Sequence, residues 1–196
     1  VFNETKNLLY VNDEKAAEFS SANFDIDAVL FRGMNESGEP FTAYVDNVRV
    51  LRNWEDYDDF SGGSLSTDKW DLWWGAGGRS PAVVNGALEL AGSGNLNDPA
   101  SSSVPEGLND IPTENLPSKH SVALIEDENI YGLEAEFMIP SGAADDTGLN
   151  FICFDFASDG SKKEFGPELE YRVDEGLALE FAYDDPVTGE SKQISR

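Results

Sequence analysis

The sequence predicts an all-β fold in which antiparallel strands form two sheets packed face to face as a β-sandwich. Apolar and polar residues alternate with a period of two in FTAYVDNVRVL (41–51) and GLEAEFMIP (132–140), which is typical of strands with one buried face. The 18 Gly and 9 Pro residues supply the turns between such segments. Helical periodicity is confined to DEKAAEF (13–19), which is long enough for a turn or two.

Each alternating segment assigns its apolar residues to one face of a strand. These faces consist of Phe24, Ile26, Ala28 and Leu30 in FDIDAVLF (24–31), Phe41, Ala43 and Val45 in 41–51, and Leu133, Ala135, Phe137 and Ile139 in 132–140. Three further segments, LNFICFDF (149–156), ELEYRV (168–173) and GLALEFAY (176–183), follow at short intervals. Short strands with turns between them indicate a sandwich or a barrel, and we expect the sandwich.

Charge restricts the classes of partner. Asp and Glu total 38 against 13 Lys and Arg, a formal net charge of −25 at pH 7. Such a field repels phosphate backbones, so we expect no nucleic-acid binding. No apolar run is long enough to cross a membrane, so we expect no membrane insertion. The acidity has two compatible explanations, solubility in saline surroundings and carboxylate ligands for Ca²⁺.

Cysteine and histidine are too scarce for several kinds of site. Cys153 is the only cysteine, so no disulfide forms within the chain, and between alternating Phe residues it has the place of a small buried apolar side chain. His120 is the only histidine and follows a proline turn in LPSKHSVAL (116–124). This context is typical of the start of a strand rather than of a catalytic triad or a zinc site.

Four segments of the chain contain recognisable motifs. DDFSGGSLSTDKWDLWW (58–74) precedes VVNGALEL (83–90), a V-x-x-G-x-L-x-L hairpin, while IYGLEAEFMIPSG (130–142) ends in P-x-G and YVDNVRVL (44–51) contains D-x-V-R-V. Together they resemble the concanavalin A-like superfamily of lectins, glucanases and laminin-G modules. The resemblance implies a jelly-roll sandwich in which the opening and closing strands pair side by side.

The motifs stand in an unusual order for this superfamily. YVDNVRVL (44–51) resembles its closing strand, and LLYVNDEKAAEF (8–19) resembles a laminin-G hairpin of the second half, yet both precede the opening motif. Residues 1–54 therefore resemble the closing half of a jelly roll and residues 55–196 its opening half, together one compact domain. The halves close within one chain, as in a circular permutation, or between neighbouring repeats or chains by strand exchange, because an isolated half would leave sheet edges unpaired.

The resemblance also implies a structural Ca²⁺ site. In the glucanases of this superfamily the Asp of the closing strand binds Ca²⁺ with backbone oxygens near the opening strand, which carries over to Asp46. Asp58, Asp59 and the carbonyl oxygens of Gly62 and Gly63 are its expected neighbours. Oxygen ligands of this kind suit Ca²⁺. The alternative is that Asp46 caps the adjacent turn.

Aromatic side chains are candidates for carbohydrate binding. In KWDLWW (69–74) alternation places Trp70 and Trp74 on one face and Trp73 on the other, and Arg79 follows nearby. We expect Trp70 in the core, and Trp73, Trp74 and Arg79 as a site where exposed rings stack on sugar faces. The alternative is that the whole cluster packs inside, because aromatic side chains dominate sandwich cores.

The carboxylates of this chain match the catalytic motif of the superfamily's glycosidases poorly. The superfamily's glycosidases carry E-x-D-x-x-E on one strand, where 149–158 offers only Asp155. Glu168 and Glu170 have i, i+2 spacing, with Asp174 beyond them, but no flanking tryptophan. We therefore assign no catalytic residue.

The expected function is that of a non-catalytic extracellular or cell-surface module, a repeat unit of a longer surface protein stabilised by Ca²⁺. Its expected partners are a glycan or neighbouring repeats with which it self-associates. One alternative is a structural subunit of an extracellular filament with strands exchanged between chains. The other is a diverged polysaccharide-active glycosidase or lyase.

Overall fold

The computed structural model of the chain describes residues 7–11, 14–19, 26–35, 37–50, 55–70, 72–75, 81–93, 120–130, 132–156, 162–172, 176–184 and 191–195. In these ranges every regular element is a strand: β1 (Asn7–Val11), β2 (Glu14–Phe19), β3 (Ile26–Asn35), β4 (Phe41–Val50), β5 (Glu55–Asp58), β6 (Leu72–Gly75), β7 (Ala82–Val84), β8 (Ala87–Gly92), β9 (His120–Ile130), β10 (Leu133–Met138), β11 (Thr147–Phe156), β12 (Lys162–Arg172), β13 (Gly176–Asp184) and β14 (Ser191–Ser195). All pairings among them are antiparallel, which confirms the predicted class.

The strands form two large sheets and one hairpin. The five-stranded sheet has the order β10-β4-β8-β7, and β5 pairs with the end of β4 that β8 does not reach. The seven-stranded sheet has the order β14-β13-β12-β11-β3-β9-β6. The hairpin joins β1 to β2.

Residues 14–19 form a strand rather than the turn or two of helix that residues 13–19 are long enough to form. β2 pairs with β1 from Asn7 opposite Phe19 to Val11 opposite Glu14. A helix of this length is marginal in water, whereas the hairpin supplies cross-strand hydrogen bonds. The pairing agrees with the hairpin expected from the resemblance of residues 8–19.

β4 and β10 have the faces that alternation predicts. The residues buried in β4 include Phe41, Ala43 and Val45, and those of β10 that pack against the core are Leu133, Ala135 and Phe137. Between them, Glu134 and Glu136 are exposed. One polar face and one apolar face are what a sheet with one covered side requires.

β3 differs from its expected pattern because it is buried on both faces. Val29 and Phe31 belong to the core between the sheets, whereas Ala28 and Leu30, on the alternate face, are also only 1% and 0% exposed. Of the face predicted for the core from residues 24–31, Ile26 does lie in the core, whereas Ala28 and Leu30, beyond a register shift, point away from the five-stranded sheet, and Phe24 lies outside the described residues. β3 lies inside the seven-stranded sheet and carries a continuous apolar run, which alternation alone does not assign to a face.

The hydrophobic core lies between the two large sheets, which gives the molecule its sandwich architecture. Among the buried residues of the core are Val45, Val48, Leu88 and Leu90 from the five-stranded sheet, Phe31, Ala123, Ile125, Leu149 and Cys153 from the seven-stranded sheet, and Phe60 and Trp70 from the segment between β5 and β6. Each large apolar side chain buried here contributes about 1.5–3 kcal/mol.

β3 and β4 occupy internal positions in the two sheets. β3 lies between β11 and β9, and β4 has β10 along one edge and β8 and β5 along the other. β3 and β4 belong to residues 1–54, and all of these partners belong to residues 55–196. β4 contains most of the segment that resembles a closing strand, and it pairs directly with β5. β5 ends at Asp58, the first residue of the segment that resembles an opening strand.

Asn35 centres a buried hydrogen-bond cluster at the end of β3. Its Nδ2 donates to the Asp145 carbonyl oxygen at 2.8 Å and to the Thr147 hydroxyl at 3.3 Å. Its Oδ1 accepts from the Ser37 hydroxyl at 3.1 Å and from the Glu39 amide at 2.9 Å. The Asn35 side chain, 0% exposed, thus ties the β3–β4 turn to the β10–β11 turn.

Candidate functional site

Asp46, the expected calcium ligand, lies on β4 beside a bulge. Its Oδ1 accepts the amide hydrogen of Asn47 at 2.7 Å, and Asn47 has a φ of 49°. Glu136 of β10 is the Cα partner of Asp46, so the two carboxylates share the outer face of the five-stranded sheet. Directly opposed like charges repel, and a cation between them would remove the repulsion.

Asp58 is buried and accepts hydrogen bonds from its own loop. Its Oδ2 accepts from the Trp70 Nε1–H at 2.8 Å, and its Oδ1 accepts from the Phe60 amide at 3.0 Å. Lys69 Nζ lies 3.5 Å from the same Oδ1. Both oxygens are engaged in holding the loop, so a metal ion at Asp58 would have to displace one of these donors.

Asp59 and Gly62 lie in the exposed turn that follows. The hydroxyl and amide of Ser61 donate to Asp59 Oδ1 at 2.8 and 3.1 Å, and they hold the pKa of Asp59 below its usual value. Gly62 and Gly63 are exposed, and Gly63 has a φ of 71°, which favours glycine. In the part of the chain that the structure describes, no three His, Cys, Asp or Glu residues converge as a metal site.

Trp70 lies in the core, as expected. Its ring stacks on Phe60 with centroids 5.8 Å apart and meets Phe31 and Tyr57 edge-on at 5.7 and 5.9 Å. The Tyr57 hydroxyl donates to the carbonyl oxygen of Lys69. The loop between β5 and β6 is therefore closed over a set of packed rings.

The expected carbohydrate-binding residues lie on and after β6. The backbone of Trp73 pairs with Ala123 and that of Trp74 with Val122 of β9. β6 is the last strand in the order of the seven-stranded sheet. Arg79 lies outside the residues that the structure describes.

The carboxylates considered for hydrolysis lie on neighbouring strands of the seven-stranded sheet. Glu168 of β12 is the Cα partner of Asn150 on β11 and of Glu180 on β13. Glu170, two residues further, lies opposite Gly148. Asp155 of β11 pairs with Lys163, and Asp174 lies outside the described ranges.

Cys153 is a buried, free cysteine at the centre of the core. Burial raises the pKa of its thiol far above the usual value, so the side chain stays neutral at ordinary pH. Since the thiolate is the nucleophile and metal ligand, Cys153 has neither role in the folded chain. Its place as a small apolar residue is confirmed.

The outer face of the five-stranded sheet carries polar contacts that sequence reasoning missed. The Tyr44 hydroxyl donates to Glu89 Oε2 at 3.0 Å, and burial together with Glu89 raises the pKa of Tyr44. Arg49 Nη1 lies 3.4 Å from Glu134 Oε2. Alternation places Tyr44, Glu89 and Glu134 outward, and the bulge beside Asn47 turns Arg49 to the same face. Only the register between strands brings the partners together.

Comparison of the chain with models of protein families, with curated proteins and with solved structures finds no match. The fold defines the class of the protein as an antiparallel all-β chain of two packed sheets. No helix in the described ranges has the length and apolar composition needed to cross a membrane.

Proposed function

We propose that this chain is a non-catalytic extracellular module that binds carbohydrate or mediates adhesion, a repeat unit of a larger surface protein, stabilised by Ca²⁺. The proposal includes a concanavalin-like jelly-roll topology. Its support is the pairing of β4 with β5, because closing and opening strands lie side by side in that superfamily. The formal charge of −25 suits a surface bathed in salt.

The non-catalytic assignment rests on one observation: the buried polar side chains that the structure describes form hydrogen bonds within the protein. Those described are Asn35, Asp58 and Thr147, and each is engaged in hydrogen bonds that hold loops. A catalytic acid, base or nucleophile must instead present a titratable group to substrate. These side chains are committed to structure, which favours binding over catalysis.

Calcium is expected to raise the thermal midpoint of unfolding, and Asp46→Ala is expected to abolish the rise. Asp46 and Glu136 are opposed across β4 and β10, so a bound cation relieves their repulsion. At free Ca²⁺ a hundredfold above its dissociation constant the gain is about 2.7 kcal/mol. Calorimetry in Ca²⁺ and in EDTA measures it.

The matched control is Asp68→Ala, which removes an exposed carboxylate from the loop between β5 and β6. This variant should keep the full response to Ca²⁺. Equal midpoints in Ca²⁺ and EDTA for the unaltered chain would remove the calcium part of the proposal, as would an undiminished response in Asp46→Ala.

Neutral glucan, xylan or chitin oligomers are expected to change the tryptophan fluorescence, and Trp73→Ala or Trp74→Ala to weaken binding about tenfold. An exposed ring stacks on the apolar face of a sugar, and removing it removes that contact. Fluorescence titration gives the dissociation constants.

Tyr10→Ala provides the control, because Tyr10 is a 47% exposed aromatic side chain on the β1–β2 hairpin. Its binding should equal that of the unaltered chain. Fluorescence that is unchanged by every oligomer, or equal losses in the Trp and Tyr10 variants, would contradict carbohydrate binding at Trp73 and Trp74.

A second candidate is a filament subunit that donates the segment containing β3 and β4 to a neighbour. The internal position of both strands favours it, because the two strands lie in different sheets and one donated segment would complete both sheets of the acceptor. Light scattering across micromolar concentrations should then show mass rising with concentration. A constant monomer mass excludes obligatory exchange.

A further inference from the structure

A cleft of about 410 Å³ opens at one end of the five-stranded sheet. Three segments form its walls: residues 40–42 at the start of β4, residues 92–93 at the end of β8, and residues 140–144 in the β10–β11 turn. Its volume lies toward the lower end of the ~300–1,000 Å³ typical of small-ligand pockets. The cleft therefore suits the end of a chain-like ligand better than its full length.

The walls of the cleft are fixed before any ligand arrives. Asn35 joins the β3–β4 turn to the β10–β11 turn through partly buried hydrogen bonds. Within the second turn the Ala143 amide donates to the Pro140 carbonyl oxygen at 3.1 Å. At the third wall a Cβ on Gly92 would lie 2.5 Å from the Phe41 ring, so β8 and β4 are in close contact. A preformed site loses little conformational entropy on binding.

The lining of the cleft carries no charged side chain, although 26% of the whole chain is charged. Its side-chain polar groups are the hydroxyls of Thr42, Ser93 and Ser141. An anion would be repelled by the net charge of −25, and a cation would find no carboxylate on the walls. The matching ligand is uncharged and carries hydroxyl groups.

The apolar residues beside the hydroxyl groups further restrict the class of ligand that fits the cleft. Pro40 and Pro140 are among the apolar residues that line the walls. A pyranose presents C–H groups on its faces and hydroxyls around its rim, which pairs with rings and hydroxyls at once. Small clefts of this mixed kind orient a ligand with few polar groups while apolar contacts supply area.

The cleft continues onto the outer face of the five-stranded sheet. Thr42 and Tyr44 are two residues apart on β4 and share this face. Tyr44 is half-buried, and its Cα partner Met138 is 54% exposed. A longer ligand anchored in the cleft would leave it across Tyr44 and Met138.

We infer that this cleft is a second binding site, for the uncharged terminal sugar of a glycan, separate from Trp73 and Trp74. The strands that line the cleft, β4 and β8, belong to the five-stranded sheet, whereas Trp73 and Trp74 belong to the seven-stranded sheet, and either site stands without the other.

Amide chemical shifts of the ¹⁵N-labelled chain test the site directly. Titration with uncharged gluco-, manno- and xylo-oligosaccharides should shift the amides of Thr42, Ser93 and Gly142, and oligogalacturonate should not. Ser141→Tyr fills the cleft and should weaken this binding at least about tenfold. Ser64→Tyr makes the same change in the exposed loop between β5 and β6 and should leave the affinity unaltered.

Thr42→Val keeps the shape of the side chain and removes one hydroxyl, so it should weaken binding even if Ser141→Tyr disturbs the turn. Trp73→Ala and Trp74→Ala should leave the cleft shifts intact, which separates this site from the other. The inference is overturned by the absence of cleft shifts with all the neutral oligosaccharides. Full affinity in both Ser141→Tyr and Thr42→Val, or tighter binding of oligogalacturonate, would overturn it as well.

Discussion

Replacing Trp70 by alanine is expected to lower the free energy of unfolding by about 3–5 kcal/mol. The indole is 0% exposed and contacts the rings of Phe31, Tyr57 and Phe60. Its loss also leaves Asp58 without the donor that lies 2.8 Å away. Domains of this kind are stable by only ~5–15 kcal/mol, so the change removes a large share. Urea unfolding followed by circular dichroism measures it.

A double-mutant cycle separates ring packing from the hydrogen bond. Trp70→Phe keeps an aromatic ring and removes the N–H donor, and Asp58→Ala removes the acceptor. The coupling energy between the two changes is expected to be about 1.5–3 kcal/mol, because the acceptor is a buried carboxylate. A coupling near zero would show that the rings alone hold the loop, and a loss under about 1 kcal/mol in Trp70→Ala would contradict both contributions.

Gly33→Ala is the second change with a large expected effect, a loss of about 1–3 kcal/mol in the free energy of unfolding. A Cβ at residue 33 would lie 2.8 Å from Leu90 Cβ and 3.2 Å from the Leu90 carbonyl oxygen. Gly33 belongs to β3 and Leu90 to β8, so the two sheets lie close together at a position where one of them lacks a side chain. The added methyl has to push the sheets apart.

The sign of this effect is informative, because glycine-to-alanine changes without strain stabilise a protein by about 0.4–1 kcal/mol through the unfolded chain. Gly62→Ala is the matched control, since its Cβ would meet only the Ser64 carbonyl oxygen at 4.0 Å. We expect Gly62→Ala to be neutral or slightly stabilising in the same urea titration. Equal stability of the two variants would mean that the sheets separate without cost at residue 33.

Local sequence pattern predicts the strands but not their neighbours. Alternation in β4 and β10 places the correct residues inside because each strand has one covered face. It fails for Ala28 and Leu30 because β3 is buried on both sides. The pairing of residues 44–50 with 133–138 joins distant parts of the chain, and no local signal sets that register.

The same holds for the candidate site: the sequence identifies some of its residues but not the residues that lie beside them. The sequence singles out Asp46 and Asp58, whereas the structure adds Glu136 beside the first and Trp70 beside the second. The DDF segment (58–60) resembles a motif, but burial and a nearby indole donor determine what its first carboxylate does. Asn35 carries no recognisable pattern, because its four partners come from two turns that meet only in the folded chain.

β3 and β4 have internal positions in their sheets, yet they are synthesised before the strands with which they pair. Residues 26–50 leave the ribosome well before their partner strands β8, β9, β10 and β11. The last of these strands, β11, is complete only at Phe156. β3 and β4 do not pair with each other, even a paired two-stranded hairpin is only marginally stable alone in water, and contacts across such separations form slowly. During translation the apolar faces of β3 and β4 therefore stay uncovered until their partner strands have been made. Exposed apolar surface of this kind makes a nascent chain prone to aggregate. The formal net charge of −25 opposes this aggregation, because like-charged chains repel one another before they fold as well as after.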